Sequence, residues 1–372
     1  MRRLKVGLIG TGYMGKCHAL AYGNVRAVFG DVPPVEKDML CDVPAQKAED
    51  LADQFGFARS TDSWQELVSD PNIDIISITT PNKFHKEMAL SAIEHGKHVW
   101  CEKPLALTTN DATEMAEAAR KAGVKTMVGY NYLKNPIIAH AKQLVEDGAI
   151  GRLLHFRGWV DEDYQADPSL AWTWRATKSE AGLGALGDLG CHLVSIAHEL
   201  AGPIESLTAD MATVYPERPM PEGDGMGKVE NEDVATAICR FGSGILGTLS
   251  SSRSAWGRKN HLAWELHGDK GMLIYDQERM NELRLYQNEG PVSEQGFKTI
   301  LSGPTHPHYA HFCPSAGHGL GFNELKVIEL AEFLRAIDQG TRPYPDFDAA
   351  LAFEKVIHAM AQSAEEKSWI SL

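Results

Sequence analysis

Residues 4–15, with the sequence LKVGLIGTGYMG, contain the pattern from which the fold of this chain can be inferred. The first half of this stretch, Leu4–Ile9, is a short apolar run that ends in glycines, which predicts a buried strand. The second half follows that strand directly and has the pattern G-x-G-x-x-G at the start of a predicted helix. Such glycines permit a tight turn, close approach of the backbone to a pyrophosphate and close packing of helix on strand. Amide groups at a helix N-terminus also favour an anion. We therefore predict a dinucleotide site that includes Gly10, Gly12, Tyr13, Met14 and Gly15.

Strands and helices alternate through the first third of the chain. Predicted strands at residues 73–78, 98–101 and 124–128 alternate with helical segments whose apolar residues recur at helical spacing, and residues 45–55 form another such helix. This alternation is typical of βαβ units and of a parallel sheet covered by helices on both faces. We predict an N-terminal Rossmann domain, a doubly wound parallel sheet, over residues 1–131.

The pattern changes after Tyr130, where longer strands follow one another without helices between them. These strands are predicted at residues 152–160, 204–214, 233–241, 244–252, 261–267 and 271–275. Two helical segments close the chain, at about residues 323–339 and 347–367, whereas residues 216–227 and 288–321 have the composition of loops. We predict a second domain, residues 132–372, with a large, mainly antiparallel open sheet and one face free for another subunit.

Composition excludes several classes of protein. The 372 residues carry a formal net charge of −14, which argues against nucleic acid as a partner because phosphate binding needs a basic face. The sequence contains no apolar run of the length that a membrane span requires. The six cysteines are scattered and form no CxxC pair, as expected for a reduced protein. We expect a soluble, cytoplasmic protein.

An acidic residue at the end of the second strand would bind the adenosine ribose of a dinucleotide. Asp42 stands there, although it lies 27 positions beyond Gly15 and the usual spacing is about 20. A loop insertion near residues 29–36 accounts for the excess, and Asp31 and Asp38 are weaker candidates. Because a carboxylate repels a 2′-phosphate, we predict NAD rather than NADP.

Two further sites have the residue types that acid–base chemistry needs. Lys103 follows a predicted parallel strand, where it could stabilise charge on a substrate oxygen, although an exposed loop lysine is the commoner case. Asp188 and His192 are spaced i, i+4 and would share one face of a helix. Histidine is a natural general base near neutral pH, but a surface pair without function fits the same spacing.

Five motifs along the chain resemble those of the glucose–fructose oxidoreductase / inositol dehydrogenase / rhizopine-catabolism (Gfo/Idh/MocA) family. They are the glycine fingerprint, Thr79-Thr80-Pro81-Asn82 with His85, Glu102-Lys103-Pro104, Gly129-Tyr130-Asn131, and Gly187-Asp188-Leu189-Gly190-Cys191-His192. They are spread over nearly the whole chain, and the Glu-Lys-Pro triplet and the Asp-x-x-x-His pair are the most specific of them.

The resemblance implies a Rossmann domain followed by an α/β domain whose open sheet joins subunits. It implies that Lys103 polarises the reacting oxygen, that Asp188 orients the substrate and that His192 takes its proton. Cofactor contacts are implied for Thr80, Pro81, Asn82, His85, Glu102, Lys103 and Asn131. Family members often carry an acidic residue where this chain has Ser195, so its substrate contacts are expected to differ.

The substrate is predicted to be a sugar or another polyol. Trp174 and Arg175 precede the Asp-x-x-x-His pair, and aromatic faces and guanidinium groups suit sugar faces and hydroxyls, although Trp174 could equally be a core residue. Tyr132 and His318 are further candidates for the substrate site. The cluster of His306, His308, His311, Cys313 and His318 matches no usual zinc spacing, so we predict no metal.

These features predict an NAD-dependent dehydrogenase that oxidises a secondary hydroxyl of a sugar, sugar derivative or cyclitol and forms a homodimer or homotetramer. Two alternatives remain open. One is an enzyme that cleaves glycosides through transient oxidation with NAD, and the other is a protein without catalysis that senses NAD or sugar.

Overall fold

The computed structural model describes all 372 residues, which form two compact units. The first unit comprises Met1–Lys134 and Gly321–Glu354, and the second comprises Asn135–Leu320 and Lys355–Leu372. The sequence predicted a division after residue 131, and the chain first passes from the first unit to the second after residue 134. The sequence did not predict that residues 321–354 return to the first unit.

The first unit contains a parallel sheet with helices between successive strands. Its strands are β1 (Leu4–Ile9), β2 (Val35–Cys41), β3 (Arg59–Thr61), β4 (Ile75–Ile78), β5 (His98–Cys101) and β6 (Thr126–Val128), and its helices are α1 (Tyr13–Val28), α2 (Ala45–Phe55), α3 (Trp64–Ser69), α4 (His85–Glu94) and α5 (Thr109–Ala122). The strand order is β3-β2-β1-β4-β5-β6, with every pair parallel. This order confirms the doubly wound fold and puts the reversal of strand order between β1 and β4, the place where such sheets bind ligands.

Local sequence explains one or both ends of three of these helices. The side chain of Ser63 accepts a hydrogen bond from the Glu66 amide at the start of α3, and Thr108 does the same for the Asp111 amide at the start of α5. Gly56 and Gly123 end α2 and α5 in the left-handed conformation, which glycine adopts without strain. The short β3 and α3 have no strong periodicity and were not predicted.

A helix from the far end of the chain completes the first unit. Helix α9 (Phe322–Gln339) contacts α1 and carries Lys326 and Glu329, both of which are fully buried. Lys326 reaches Glu102 at the end of β5, so a charge pair as well as apolar packing brings this segment to the Rossmann sheet. Sequence periodicity located the helix but carried no information about which unit it joins.

The second unit is built on a large mixed sheet. Its elements are α6 (Pro136–Glu146), β7 (Leu153–Asp161), α7 (Lys178–Ala181), α8 (Cys191–Ala201), β8 (Ile204–Ala212), β9 (Glu217–Pro219), β10 (Met226–Lys228), β11 (Val234–Phe241), β12 (Leu246–Ser252), β13 (His261–Gly268), β14 (Gly271–Asp276), β15 (Glu282–Gln287), β16 (Lys298–Leu301) and β17 (Ile370–Ser371). Helix α10 (Phe347–Glu366) begins in the first unit and ends in the second.

Nine strands form this sheet in the order β16-β15-β14-β13-β7-β12-β11-β8-β17. Only β7 and β12 pair in parallel, so the prediction of a mainly antiparallel sheet is confirmed. Two predicted loops contain strands, because residues 217–219 and 226–228 pair as a small hairpin and residues 298–301 extend the large sheet. The loop composition concealed them, since these strands have only three or four residues.

Helix α8 packs directly on the large sheet. Gly158 of β7 lies under Leu193, and a Cβ at that glycine would be 2.6 Å from the leucine Cδ1. The absence of a side chain at Gly158 therefore sets how closely α8 approaches β7. None of the helices has both the length and the apolar character that a membrane span requires.

Candidate active site

The glycine fingerprint forms the turn between β1 and α1. Gly10 has a φ of +93°, and the Thr79 hydroxyl donates to its carbonyl over 2.8 Å. A Cβ on Gly15 would overlap the Gly10 carbonyl oxygen, whereas a Cβ on Gly12 would meet no atom within 4 Å. No side chain caps the N-terminus of α1, and its first turn holds no acidic residue. The turn therefore offers open space and amide donors at Gly12, which fits a pyrophosphate.

Asp42 lies immediately beyond β2 and is fixed to the same turn. Its Oδ2 accepts hydrogen bonds from the Thr11 amide over 2.9 Å and from the Thr11 hydroxyl, and the Lys47 ammonium is 3.0 Å away. Burial opposes ionisation, but Thr11, Lys47 and the Val43 amide outweigh it and lower the pKa of Asp42. An ionised carboxylate beside the fingerprint is the arrangement that NAD-binding Rossmann domains use for the ribose hydroxyls.

The two rival acids are engaged elsewhere. Asp31 forms two hydrogen bonds of 2.9 Å with the Arg335 guanidinium, and Asp38 is bonded to Lys5 and Arg59. Asp42 is therefore the acid that the structure brings to the glycine turn.

The turn that carries Lys103 begins at a buried carboxylate. Glu102 Oε1 is 2.5 Å from the Lys326 ammonium and 2.9 Å from Nε2 of His18. Burial alone would raise the pKa of Glu102, but Lys326 and His18 hold it well below its ordinary value. Burial lowers the pKa of His18 to about 4, so this imidazole is neutral near pH 7. Lys103 is the next residue in the chain after Glu102, and it is partly exposed.

The other predicted cofactor residues of the first unit lie in the loops after β4 and β6. His85 is fully buried, with Nδ1 2.9 Å from the Pro104 carbonyl oxygen and Nε2 3.0 Å from that of Thr80. It therefore ties the loop after β4 to the loop that carries Lys103. Pro81 and Asn82 are partly exposed in the same loop, whereas Asn131 and Tyr132 are buried in the turn after β6.

Asp188 and His192 lie in the second unit, and the local helix differs from the prediction. Residues Leu186–Gly190 form a π-helical turn, and the regular helix α8 begins only at Cys191. Asp188 therefore lies in the π turn and His192 in the first α turn. Wide turns of this kind occur often at functional sites. His192 is buried at 5% exposure, whereas Asp188 is partly exposed.

Glu232 positions the π turn. Its Oε1 accepts from the Leu186 amide over 2.8 Å, and its backbone carbonyl accepts from the Ala185 amide over 2.9 Å. Gly184 precedes this turn, and a Cβ there would overlap the Glu232 carbonyl oxygen, so a glycine is needed for the close approach of the two backbones.

Two family models match the chain in sequence. One, described as oxidoreductase family, NAD-binding Rossmann fold, matches residues 4–130, and the other, the GFO/IDH/MocA C-terminal domain, matches residues 138–274. The chain belongs to the Gfo/Idh/MocA family. The oxidoreductase class and the NAD cofactor expected from the sequence are thereby confirmed, and sugar and inositol dehydrogenases are among the relatives.

Some similar proteins match the chain over its full length. Levoglucosan dehydrogenase of Pseudarthrobacter phenanthrenivorans is 37% identical over 100% of this chain and 99% of its own length. A structure of levoglucosan dehydrogenase with NADH and levoglucosan has a TM-score of 0.96 at 36% identity, covering 100% of this chain and 99% of the other. The 1,5-anhydro-D-fructose reductase of Ensifer adhaerens is 32% identical over 72% of this chain and 74% of its own.

The residues suggested for the substrate differ in their surroundings. Trp174 is partly exposed and lies beneath the Arg175 guanidinium, 4.5 Å from ring centroid to guanidinium carbon, so it is not a core residue. His318 is exposed in the loop between β16 and α9. Ser195, where many Gfo/Idh/MocA members have an acid, is buried and donates to the His192 carbonyl over 2.8 Å. Cys191 is buried as well, with Sγ 3.1 Å from the Gly187 carbonyl oxygen.

One side-chain group in the second unit has the residue types of a metal site. His261, Asp276 and Glu278 bring ligand atoms within 4.8 Å of one another. Trp159 Nε1 donates to Nδ1 of His261 over 3.2 Å, which places the proton of the neutral ring on Nε2, towards Asp276. Glu278 already accepts from the Lys259 amide over 2.8 Å. This group therefore does not fit a metal ion without rearrangement.

The structure adds residues that the sequence did not single out. All of them form hydrogen bonds: Thr11 with Asp42, Lys326 and His18 with Glu102, Glu354 with the Leu105 amide, and Tyr164 with Asp188. Four of these residues act on a predicted residue and Glu354 acts on the turn that follows Lys103, and every one of these contacts spans at least 24 positions in the chain. Only the buried polar character of Lys326 and Glu354 within apolar helical stripes could have drawn attention to them.

Proposed function

We propose that this protein is an NAD-dependent dehydrogenase that oxidises a secondary hydroxyl of a sugar, sugar derivative or cyclitol. The observation that carries the proposal is the full-length likeness to levoglucosan dehydrogenase, combined with the presence of Lys103, Asp188 and His192 in this chain. Support also comes from the Asp42 carboxylate beside the glycine turn, which suits the ribose of NAD.

In the proposed reaction the chain supplies orientation and proton transfer. The Lys103 ammonium donates to the substrate oxygen and stabilises the negative charge that develops there. Neutral His192 accepts the hydroxyl proton, and the Asp188 carboxylate holds the substrate in the orientation that this transfer needs. Bound NAD would accept the hydride. Trp174, Arg175, Tyr132 and His318 are proposed to contact the rest of the substrate.

A substrate panel tests this function. Levoglucosan, 1,5-anhydrosugars, pyranoses and inositols would each be incubated with NAD or NADP while the absorbance of reduced nicotinamide is followed. We expect turnover of at least one of them with NAD. Absence of turnover with the whole panel and both cofactors would contradict the proposal.

Variants test the assigned roles. Lys103→Ala and His192→Ala are expected to lower kcat by about 10²–10⁴-fold while NAD still binds. Lys121→Ala and His95→Ala, which change exposed residues of the same types, are matched controls expected to keep parental turnover. Parental turnover in His192→Ala would remove the base assignment.

We further propose that the open face of the large sheet joins subunits into a homodimer or homotetramer. Side chains of β11 alternate between buried and exposed. On the exposed face, Ile238 of β11 and Leu246 of the neighbouring β12 keep 44% and 39% of their surface accessible. Apolar side chains on a sheet face without helices favour burial against another copy. Light scattering should give a mass above that of one chain, and Ile238→Glu should reduce it. A parent protein with the mass of one chain would overturn this proposal.

A further inference from the structure

The turn that carries Lys103 is anchored by a residue from the opposite end of the chain. Glu354, on α10, accepts a hydrogen bond from the Leu105 amide through Oε1 over 2.8 Å. Its side chain is fully buried, at 0% exposure. On the same turn, the Pro104 carbonyl oxygen is held by Nδ1 of His85 at 2.9 Å. The two residues that follow Lys103 are therefore both fixed by buried side chains.

Glu354 also interacts with Lys103 through charge. Burial raises the pKa of Glu354 to about 8, while the Leu105 amide and the positive charge of Lys103 act in the opposite direction. An electrostatic interaction between two titrating groups is mutual, so an ionised Glu354 must stabilise the Lys103 ammonium by the same amount. In the buried surroundings of α10 such an interaction is screened much less than at the surface.

The other titratable groups around this turn do not change charge near pH 8. The thiol of Cys101 has a pKa well above its ordinary value because it is buried and faces Glu102 and Glu354. Glu102 stays ionised because Lys326 and His18 hold its pKa low, and burial lowers the pKa of His85, which keeps it neutral. Of these groups near Lys103, Glu354 is therefore the one whose charge changes as the pH passes through about 8.

We propose that Glu354 is a positioning residue for Lys103, which anchors the turn through the Leu105 amide and, when ionised, keeps Lys103 in its ammonium form. The inference rests on the proposed function in one respect, since the ammonium matters there because it polarises the substrate oxygen. A fixed and charged lysine would lose less orientation freedom when the substrate binds.

Two substitutions separate anchoring from charge. Glu354→Gln retains an oxygen that can accept from the Leu105 amide but removes the negative charge. Glu354→Asp retains the charge but shortens the reach to the amide. Glu365→Gln, which changes an exposed carboxyl on the same helix, is the matched control.

The direct test is the titration of Lys103 in the full chain. Lysine labelled with ¹³C at Cε would be followed by NMR between pH 6 and 11 without cofactor, with Lys103→Met used to assign the signal. We expect the Lys103 midpoint to fall by about one pH unit in Glu354→Gln and to stay near the parental value in Glu354→Asp and in the control. An unchanged midpoint in Glu354→Gln, or equal midpoints in the Gln and Asp variants, would overturn the proposal.

Kinetics test the consequence for catalysis. In Glu354→Gln the alkaline limb of kcat/KM should move to lower pH, because Lys103 would lose its proton earlier, and the dissociation constant for NAD should not change. An equal loss of kcat/KM at every pH would indicate a purely structural role and overturn the proposal. A shifted Lys103 titration in a protein that turns over no sugar would instead count against the proposed function alone.

Discussion

Tyr164 donates a 2.7 Å hydrogen bond to Oδ2 of Asp188. Burial and the neighbouring Asp188 charge raise the pKa of Tyr164 well above its ordinary value, so the phenol remains a donor at any working pH. A hydrogen bond donated to a carboxylate favours its ionised form. Tyr164 therefore holds the Asp188 carboxylate in one orientation in the π turn that precedes His192.

Tyr164→Phe should weaken catalysis without weakening the binding of NAD. Without the hydrogen bond the Asp188 carboxylate is no longer held in one orientation, so kcat/KM for sugar oxidation should fall. We expect kcat/KM at pH 7 to fall by about tenfold, the cost of one hydrogen bond to a charged group, with the dissociation constant for NAD unchanged. Tyr215→Phe, at a partly exposed tyrosine of the same unit, is the control. A parental kcat/KM in Tyr164→Phe would show that Asp188 does not depend on this bond.

Replacement of Asp42 should change the choice of cofactor. In Asp42→Ala the ribose loses its acceptor, and Lys47, now 3.0 Å from the Asp42 carboxylate, would lose its partner and become available to a 2′-phosphate. We expect binding of NAD to weaken by about tenfold and binding of NADP to strengthen, measured by isothermal titration calorimetry. The double variant Asp42→Ala/Lys47→Ala should lose the gain for NADP. An equal gain in both variants would show that Lys47 has no part in it.

The Rossmann sheet could be predicted because its signals are local. Residues 4–9, 45–55 and 98–101 form strands and a helix with the predicted bounds, since each segment has a clear period and a glycine near its end. The contacts of Lys326 with Glu102 and of Glu354 with Leu105 could not be predicted, because each joins residues more than 200 positions apart. Periodicity states which face of a helix is buried but not which sheet it meets, and a buried charge is recognisable only once its partner is known.

Glu329 should make the stability of the first unit depend on pH. Its Oε1 accepts from Trp100 Nε1 over 2.6 Å and from the Lys326 ammonium over 3.0 Å. Burial raises the pKa of Glu329 to about 7 although Lys326 opposes this, whereas the unfolded chain should have an ordinary value near 4.3. The folded state therefore binds the proton more tightly, and this contribution is full below about pH 4 and lost as the pH rises through about 7.

Glu329→Gln should remove that contribution. Between pH 5 and 8 the parent should lose about 2–3 kcal/mol of unfolding free energy more than the variant, measured from urea transitions of the cofactor-free protein. Glu354 contributes with the same sign in both proteins, so the variant keeps a smaller dependence rather than none. Glu117→Gln, at an exposed position on α5, should behave as the parent does. Parallel curves for the parent and Glu329→Gln would show that Glu329 is ionised in the folded state throughout this range.

Alanine at two glycines of the fingerprint should have different effects, on protein stability at Gly15 and on the binding of NAD at Gly12. In Gly15→Ala the new Cβ would overlap the Gly10 carbonyl oxygen and lie 3.1 Å from the Thr79 hydroxyl, so the turn must shift. We expect this variant to lose about 1–3 kcal/mol of stability and to melt at a lower temperature than the parent.

In Gly12→Ala the Cβ meets no atom of the chain within 4 Å, so the melting temperature should be retained. The same methyl group would occupy the space offered to the pyrophosphate, and binding of NAD should weaken by at least about tenfold. Melting curves and calorimetric titrations of the two variants would check this, and parental affinity for NAD in Gly12→Ala would mean that the pyrophosphate does not lie against Gly12.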